Sequence, residues 1–568
     1  MHYAELKRAR DELTAPGADF EIVEAEVLGN QIRTWKNAPP SVREVWLATR
    51  EFADRDYLVY HDEKLTYGET HALTASVANW LFAHGVKPGD RVAIAMRNFP
   101  EWMIIYWACC SVGITVVGMN AWWTAEEMAY ALKDSDPSVL FLDAERLARF
   151  REKPDMATGA KLVGVRLDDY PADVTPWSDV IAQGGDMPDV TVDPDSDACI
   201  FYTSGTTGFP KGAQLTHRGC VSNLYNMLYA RASSALSVMY ATGEVPPDPP
   251  PVPVTLINTP LFHVTANNCA AYAVTAAGGT MVLMYKWDAG EALRLIEKHR
   301  IMTVSGVPVM ARELINHPDF DKTDTSSLMA LGGGGAQVPP DLVLKIEEKV
   351  ATARPNTGYG MTETCGIITS VAADFYVDRP DSVGPAMPSY EAKCVDPDGN
   401  EVPLGETGEL WVRGSSVIKG YINRPDATAE TITDGGWLHT GDIARMDGDG
   451  FIYIVDRKKD MVLRGGENIY CAEVEAGLYR HAAIAECSVF GMPDERLGEE
   501  VAAAIVAKPG ETLSEDDVRE HCLAIMAKHK VPRFIWILDD PLPRNASGKF
   551  LKRDLKEQLV ANLKSQVS

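Results

Sequence analysis

The sequence predicts an α/β protein: a large N-terminal domain of two α/β sheet subdomains plus a small β-rich subdomain, then a small mobile α+β C-terminal domain. Two uncharged runs carry the first part of that expectation. Residues 102–125 read as a buried helix ("WMIIYWACCSV"), a break at Gly113, and a buried strand ("ITVVGMN"). Residues 264–285 repeat the pattern, with "NNCAAYAVTAAGG" as helix and "TMVLMY" as strand. Such units predict mainly parallel sheets covered by helices. The proline-dense "GEVPPDPPPVPV" (243–254) between them predicts an irregular surface connection.

Near residue 400 the character changes. "GETGELWVRG" and "GWLHTGDIARMDGDGFIYIVDRKKD" predict short antiparallel strands, with "DGDG" (447–450) as a hairpin turn. Beyond "DRKKD" (456–460) the pattern is mixed: a strand at 500–507, a helix at 514–528, a strand at 533–538 and a terminal helix from about 551. The expected division is 1–458 and 459–568, with the polar Arg457–Lys458–Lys459–Asp460 as hinge.

Bulk properties remove several classes. A net charge of −26 argues against general binding to nucleic acid or anionic membrane. Ten cysteines form no CxxC pair, which predicts reduced, mostly buried thiols and a cytoplasmic location. The N-terminus is charged from the start and lacks an apolar signal core. The 102–125 run is long enough to span a bilayer, but the Gly113 break predicts a soluble helix and strand instead.

"YTSGTTGFPKG" (202–212) follows the apolar "ACIFYT". Glycines let backbone N–H groups approach an anion, hydroxyls add donors, and Lys211 adds a point charge. The Walker pattern does not fit: counted from Gly205, its second glycine falls on Pro210, and Gly212 follows the lysine. The candidate phosphate loop is therefore Thr203, Ser204, Gly205, Thr206, Thr207, Gly208 and Lys211, outside the Walker class.

Its companions are "LGGGGA" (331–336), "TGYGMTETCG" (357–366), "HTGD" (439–442), a carboxylate expected at a turn, and "PRNASGKFLKR" (543–553), with Lys549 after Gly548. In this order, from "RVAIAMRNFPEW" to "SGKF", they resemble the adenylate-forming superfamily of acyl-CoA synthetases, peptide-synthetase adenylation domains and beetle luciferases. The resemblance implies ATP, Mg²⁺ and coenzyme A as cofactors. It implies that Glu363 holds Mg²⁺, Thr362 donates to the α-phosphate, and Gly358, Tyr359 and Gly360 face the adenine. Gly334, Gly335 and Ala336 would let adenine and acid approach the backbone, Asp442 and Arg457 would hold the ribose, and Lys549 would bridge carboxylate and α-phosphate. His263, in "TPLFHVTANN", would lie beside the acid. Gly465 and Gly466, read as a strand, would flank the pantetheine tunnel, and Lys459 would be the pivot.

The acceptor read from "LRGGENIYCAEVE" (463–475) is free coenzyme A, with a separate carrier protein as the second reading. The acid expected is a medium- to long-chain fatty acid, with aromatic, cyclic or terpenoid-derived acids close behind. An amino acid is disfavoured, because "PLFHVTANNC" has no Asp to hold an ammonium. A silent nucleotide sensor of the same fold is the reading from a different class, and intact Glu363 and Lys549 argue against it. A homodimer is compatible with all of these.

Overall fold

The computed structural model describes residues 3–567 apart from 154–158, 204–209, 246, 248, 336–337, 339, 351, 466 and 545–549. Packing divides the chain into Met1–Glu391 with Val412–Leu438, and Ala392–Trp411 with His439–Ser568. The second unit thus begins earlier than the expected cut after 458. The reason is local: the strand Phe451–Arg457 lies against the helix Cys471–Leu478, where Asp456 Oδ2 accepts the N–H of Ala472 at 3.4 Å.

Two eight-stranded sheets build the first unit. In one, Arg91–Ala95, Thr115–Gly118, Val139–Leu142, Lys161–Gly164, Val174–Pro176 and Asp197–Thr203 run parallel, and Lys211–Thr216 and Gly420–Tyr421 close one edge antiparallel. In the other, Asp56–Tyr60, Val254–Ile257, Thr280–Leu283, Thr303–Gly306, Ala330–Gly334 and Arg354–Met361 are parallel, flanked by antiparallel Glu63–Thr66 and Gly366–Ala372. The central strands are short runs buried on both faces, as parallel strands covered by helices require. The second sheet borrows residues 56–66 from ahead of the first, so the two subdomains are interleaved in the chain.

The helix Pro100–Ser111 explains the uncharged run. Every one of its residues is buried, with proline at its first turn. A helix apolar all round belongs inside a core. It stacks Trp107 on Trp46, rings 5.3 Å apart, and Trp107 Nε1 donates to Tyr57 Oη at 2.7 Å. It ends before Gly113, whose φ of +69° turns the chain into the next strand. Among the described residues no helix is long and apolar enough to cross a membrane. The second uncharged run differs from expectation: Thr265–Ala271 is a π-helix, and only Tyr272–Ala276 is α-helical. Nine of the ten cysteines are buried and Cys269 is partly so, all as free thiols.

In the second unit, Leu438–Met446 and Phe451–Arg457 pair antiparallel around the expected 447–450 turn. Beyond it, Ile484–Asp494 pairs with Gly498–Ala507, which also carries Phe534–Leu538 in parallel. The helices Glu515–Ile525 and Lys552–Val567 match the expected positions.

Candidate active site

Open α/β sheets bind ligands beyond the carboxyl ends of their strands. The candidate residues of the first unit collect there. Thr203 is the last residue of Asp197–Thr203 and sits in register with Lys211, the first of the neighbouring strand. Thr203 Oγ1 donates to the Lys211 carbonyl at 3.4 Å. In the second sheet, Gly334 ends one strand and Met361 the next, with Thr362–Thr364 a single 3₁₀ turn.

That turn is fixed by its own side chain. Met361 N–H donates to Thr364 Oγ1 at 3.1 Å, and Thr364 Oγ1 donates to the Gly366 carbonyl at 2.9 Å. Glu363 sits in the middle of that turn. It is 8 % exposed, and its Oε1 accepts from Tyr421 Oη at 2.7 Å. Tyr421 lies on the edge strand of the other sheet, opposite Ala213. The Lys211 ammonium sits 4.2 Å from the centre of the same ring. One tyrosine thus joins the lysine of one sheet to the carboxylate of the other. Burial first, and then the Glu363 charge, push the Tyr421 phenol well above its usual pKa, so it stays a donor.

Tyr421 was not legible in the sequence. It stands 58 residues beyond Glu363, with only the "KGY" of residues 419–421 to mark it. Asn223 is a second residue the motifs missed. Its Nδ2 donates to the Asn268 carbonyl at 3.1 Å and its Oδ1 accepts from Ile367 N–H at 2.9 Å. A π-helix leaves carbonyls outside the α-helical ladder, and Asn223 ties one of them to the strand after Glu363.

The glycines divide into two kinds. A Cβ on Gly332 would overlap the Asn356 carbonyl, one on Gly333 the Gly306 carbonyl, and one on Gly334 the Gly358 carbonyl. These are demands of neighbouring strands, so Gly334 is bare for the sheet's sake. Gly335 is different: φ is +80°, it is exposed, and its nearest neighbour is Val307 Cγ1 at 3.8 Å. Open space for a ligand fits Gly335. At Gly360 the ladder slips between Tyr359 and Gly360, and a Cβ would overlap Gly366. Gly358 pairs with Ser370 and Tyr359 with Thr369, and Tyr359 and Thr362 are half-buried. His263 is half-buried, 4.9 Å from the Phe262 ring, and its carbonyl accepts from Asn267 N–H at 3.0 Å as the π-helix begins.

In the second unit Asp442 is not at a turn. It is inside the strand Leu438–Met446, 4 % exposed, directly across from Arg457, with Arg457 Nε 3.4 Å from Asp442 Oδ1. The positive φ of Gly441 lets the strand carry "HTGD" without a break. Gly465 is not in a strand either. Arg464 pairs antiparallel with Glu467, and Gly465, just after Arg464, has the positive φ of +59° that a tight hairpin turn needs. Ser204, Gly205, Thr206, Thr207, Gly208, Ala336, Gly466 and Lys549 lie outside the described residues.

Glu363 fits a hard cation held through few protein ligands. Its Oε1 is oriented by a hydroxyl, and Oε2 makes no hydrogen bond among the described residues. No cluster of three or more metal-ligating side chains occurs among them. A lysine and an acid joined through one tyrosine, at strand ends of two mainly parallel sheets, are parts that suit a nucleotide-handling α/β enzyme.

The chain matches the AMP-binding enzyme family over residues 45–422 and the AMP-binding enzyme C-terminal domain over 473–549. It belongs to this family. Feruloyl-CoA synthase of Amycolatopsis sp is 36 % identical over 497 residues, covering 87 % of this chain and 94 % of that one. The putative acyl-CoA synthetase YngI of Bacillus subtilis is 34 % identical, covering 90 % and 95 %. Among solved structures, o-succinylbenzoate coenzyme A synthetase (MenE) from Bacillus subtilis, in complex with ATP and magnesium ion, superposes with a TM-score of 0.74 at 30 % identity, covering 90 % and 99 %. The chain is an AMP-forming acid–thiol ligase that uses ATP, Mg²⁺ and coenzyme A.

The Tyr421 bridge makes a prediction. Tyr421→Phe keeps the ring over Lys211 but removes the hydrogen bond to Glu363. Loss of such an outer-shell partner costs about tenfold or more in metal affinity. The expected result is a Mg²⁺ requirement for pyrophosphate release raised by about that factor. A Mg²⁺ titration matching the wild-type curve would separate Tyr421 from the metal.

Proposed function

We propose that this ligase activates an aromatic or other ring-bearing carboxylic acid as acyl-AMP and passes the acyl group to coenzyme A. The expectation of a medium- to long-chain fatty acid gives way to its runner-up. The observation that supports the change is the relatives named for their acids: feruloyl-CoA synthase, 4-coumarate–CoA ligases at 30 % identity, and a ligase of a methyl-dioxo-octahydro-inden-yl propanoate at 33 %.

A carboxylate acylates poorly because its oxygen is a bad leaving group. Attack of that oxygen on the α-phosphate of ATP expels pyrophosphate and leaves a mixed anhydride. A thiol then displaces AMP from the acyl carbon. The first step needs positioning and charge neutralisation more than covalent catalysis. In this reading Thr203 and Lys211 face the outer phosphates, and Thr362 the α-phosphate. Glu363, oriented by Tyr421, would hold Mg²⁺, which neutralises phosphate charge when bound. Asp442 and Arg457 hold the ribose hydroxyls, Gly358, Tyr359 and Gly360 flank the adenine, and Gly335 and His263 border the acid.

The test is pyrophosphate release and thioester formation across ring-bearing and straight-chain acids, each with and without coenzyme A. Ring-bearing acids are expected to give the higher kcat/KM, with AMP and pyrophosphate in equal amounts. ADP appearing with the thioester would overturn the acyl-AMP route, and preference for a straight-chain acid would overturn the ring assignment.

A further inference from the structure

Arg97 follows the strand Arg91–Ala95 at its carboxyl end and is only 9 % exposed. Its guanidinium carbon lies 4.0 Å from the centre of the Trp122 ring and 4.8 Å from that of Tyr285. Its Nε and Nη1 are buried and have no hydrogen-bond partner. The carboxylates nearby are already engaged. Asp143 accepts the Arg97 backbone N–H at 3.2 Å but gives both oxygens to Arg146 Nη1, at 3.1 and 2.9 Å. Glu145 pairs with Arg149 at 3.0 Å and accepts from Tyr285 Oη at 3.3 Å. No carboxylate among the described residues balances Arg97. Burying an unpaired charge is costly, and two aromatic faces recover only part of the cost.

The ring above it is unusual too. Trp122 is 40 % exposed, although it packs edge-on against Phe262 at 5.3 Å, one residue from His263. The cluster therefore stands beside the candidate acid-binding residue, at strand ends of both sheets, offering an unpaired cation under an exposed indole. It suits a ligand that carries both an oxyanion and a planar ring. The acid's carboxylate is consumed by the chemistry, and the phosphates of ATP belong to the loop ending at Lys211. Of the three substrates, only coenzyme A brings phosphate and purine at a distance from its reacting atom.

We propose that Arg97 and Trp122, with Tyr285 behind the guanidinium, form a docking site for the phosphoadenosine end of coenzyme A. Arg97 meets a phosphate and the exposed face of Trp122 takes the purine. This rests on coenzyme A being the acceptor.

The experiment measures KM and kcat of the thioester step for coenzyme A, 3′-dephospho-coenzyme A and pantetheine, in wild type, Arg97→Met and Trp122→Ala. Each variant is expected to raise KM for coenzyme A about tenfold with kcat little changed, the loss of one charged hydrogen bond or one stacked ring. Pantetheine kinetics and ATP–pyrophosphate exchange should not move. If dephospho-coenzyme A is affected as strongly, Arg97 meets the diphosphate; if it is spared, Arg97 meets the 3′-phosphate; both support the site. An unchanged KM for coenzyme A in both variants overturns it, as does an equal loss with pantetheine or a rise confined to the acid. Should Arg97→Met fail to fold, surface-exposed Trp122→Ala decides. A wild-type enzyme that makes acyl-AMP but no coenzyme A thioester would bring down the acceptor reading itself.

Discussion

Lys549→Ala is expected to lower acyl-AMP formation by about two to three orders of magnitude, the usual cost of losing a donor aimed at developing charge. As the acid's oxygen approaches the α-phosphate, two negatively charged groups meet, and the lysine of "SGKF" is the cation assigned to that encounter. The second half-reaction has no such meeting of two anions, because the thiol, losing its proton, attacks a neutral carbonyl and AMP leaves with the electron pair of the broken acyl C–O bond. Thioester formation from supplied acyl-AMP should therefore largely survive. The measurement is ATP–pyrophosphate exchange beside thioester formation from preformed acyl-AMP, on one preparation. An equal fall in both would make Lys549 a structural residue.

Lys459→Pro should do the reverse. If the lysine reaches the α-phosphate in one step and the thiol reaches the acyl carbon in the next, the C-terminal domain would take two arrangements. The segment that would absorb the change is Arg457–Asp460. The polar turn there is held by Lys458 N–H on the Gly441 carbonyl at 2.9 Å, and by Asp460 and Met461 N–H on the Arg457 carbonyl at 3.0 and 3.2 Å. Proline at 459 removes none of these hydrogen-bond donors, although it restricts Lys458 before it, which is why the fold is checked directly. It does fix φ near −65°, which removes the freedom a hinge needs. Pyrophosphate exchange should stay substantial while thioester formation falls most of the way to zero, with circular dichroism confirming the fold. A folded variant making thioester from acyl-AMP at the wild-type rate would move the pivot elsewhere.

The sequence by itself determined the class of fold and the chemistry. Apolar runs broken at glycine read as buried helix and strand, and "YGMTE" states a local requirement, a carboxylate on a tight turn. Local requirements are legible because neighbours in the chain satisfy them. The acid was less legible, since its pocket is assembled from side chains with no shared spacing.

Tertiary structure decided what depends on distant partners. "HTGD" reads as a turn from its composition, yet Asp442 is held inside a strand by pairing opposite Arg457. "LRGGEN" reads as a strand, yet the return pairing of Glu467 on Arg464 places Gly465 at a hairpin turn. The four glycines of residues 332–335 look alike in sequence; only the neighbouring carbonyls show that three are bare for the sheet and one faces open space. Tyr421 between Lys211 and Glu363, and Arg97 under Trp122, arise where strands far apart in the chain end side by side. No local pattern encodes such a meeting, because it is the sheet order that brings those strand ends together.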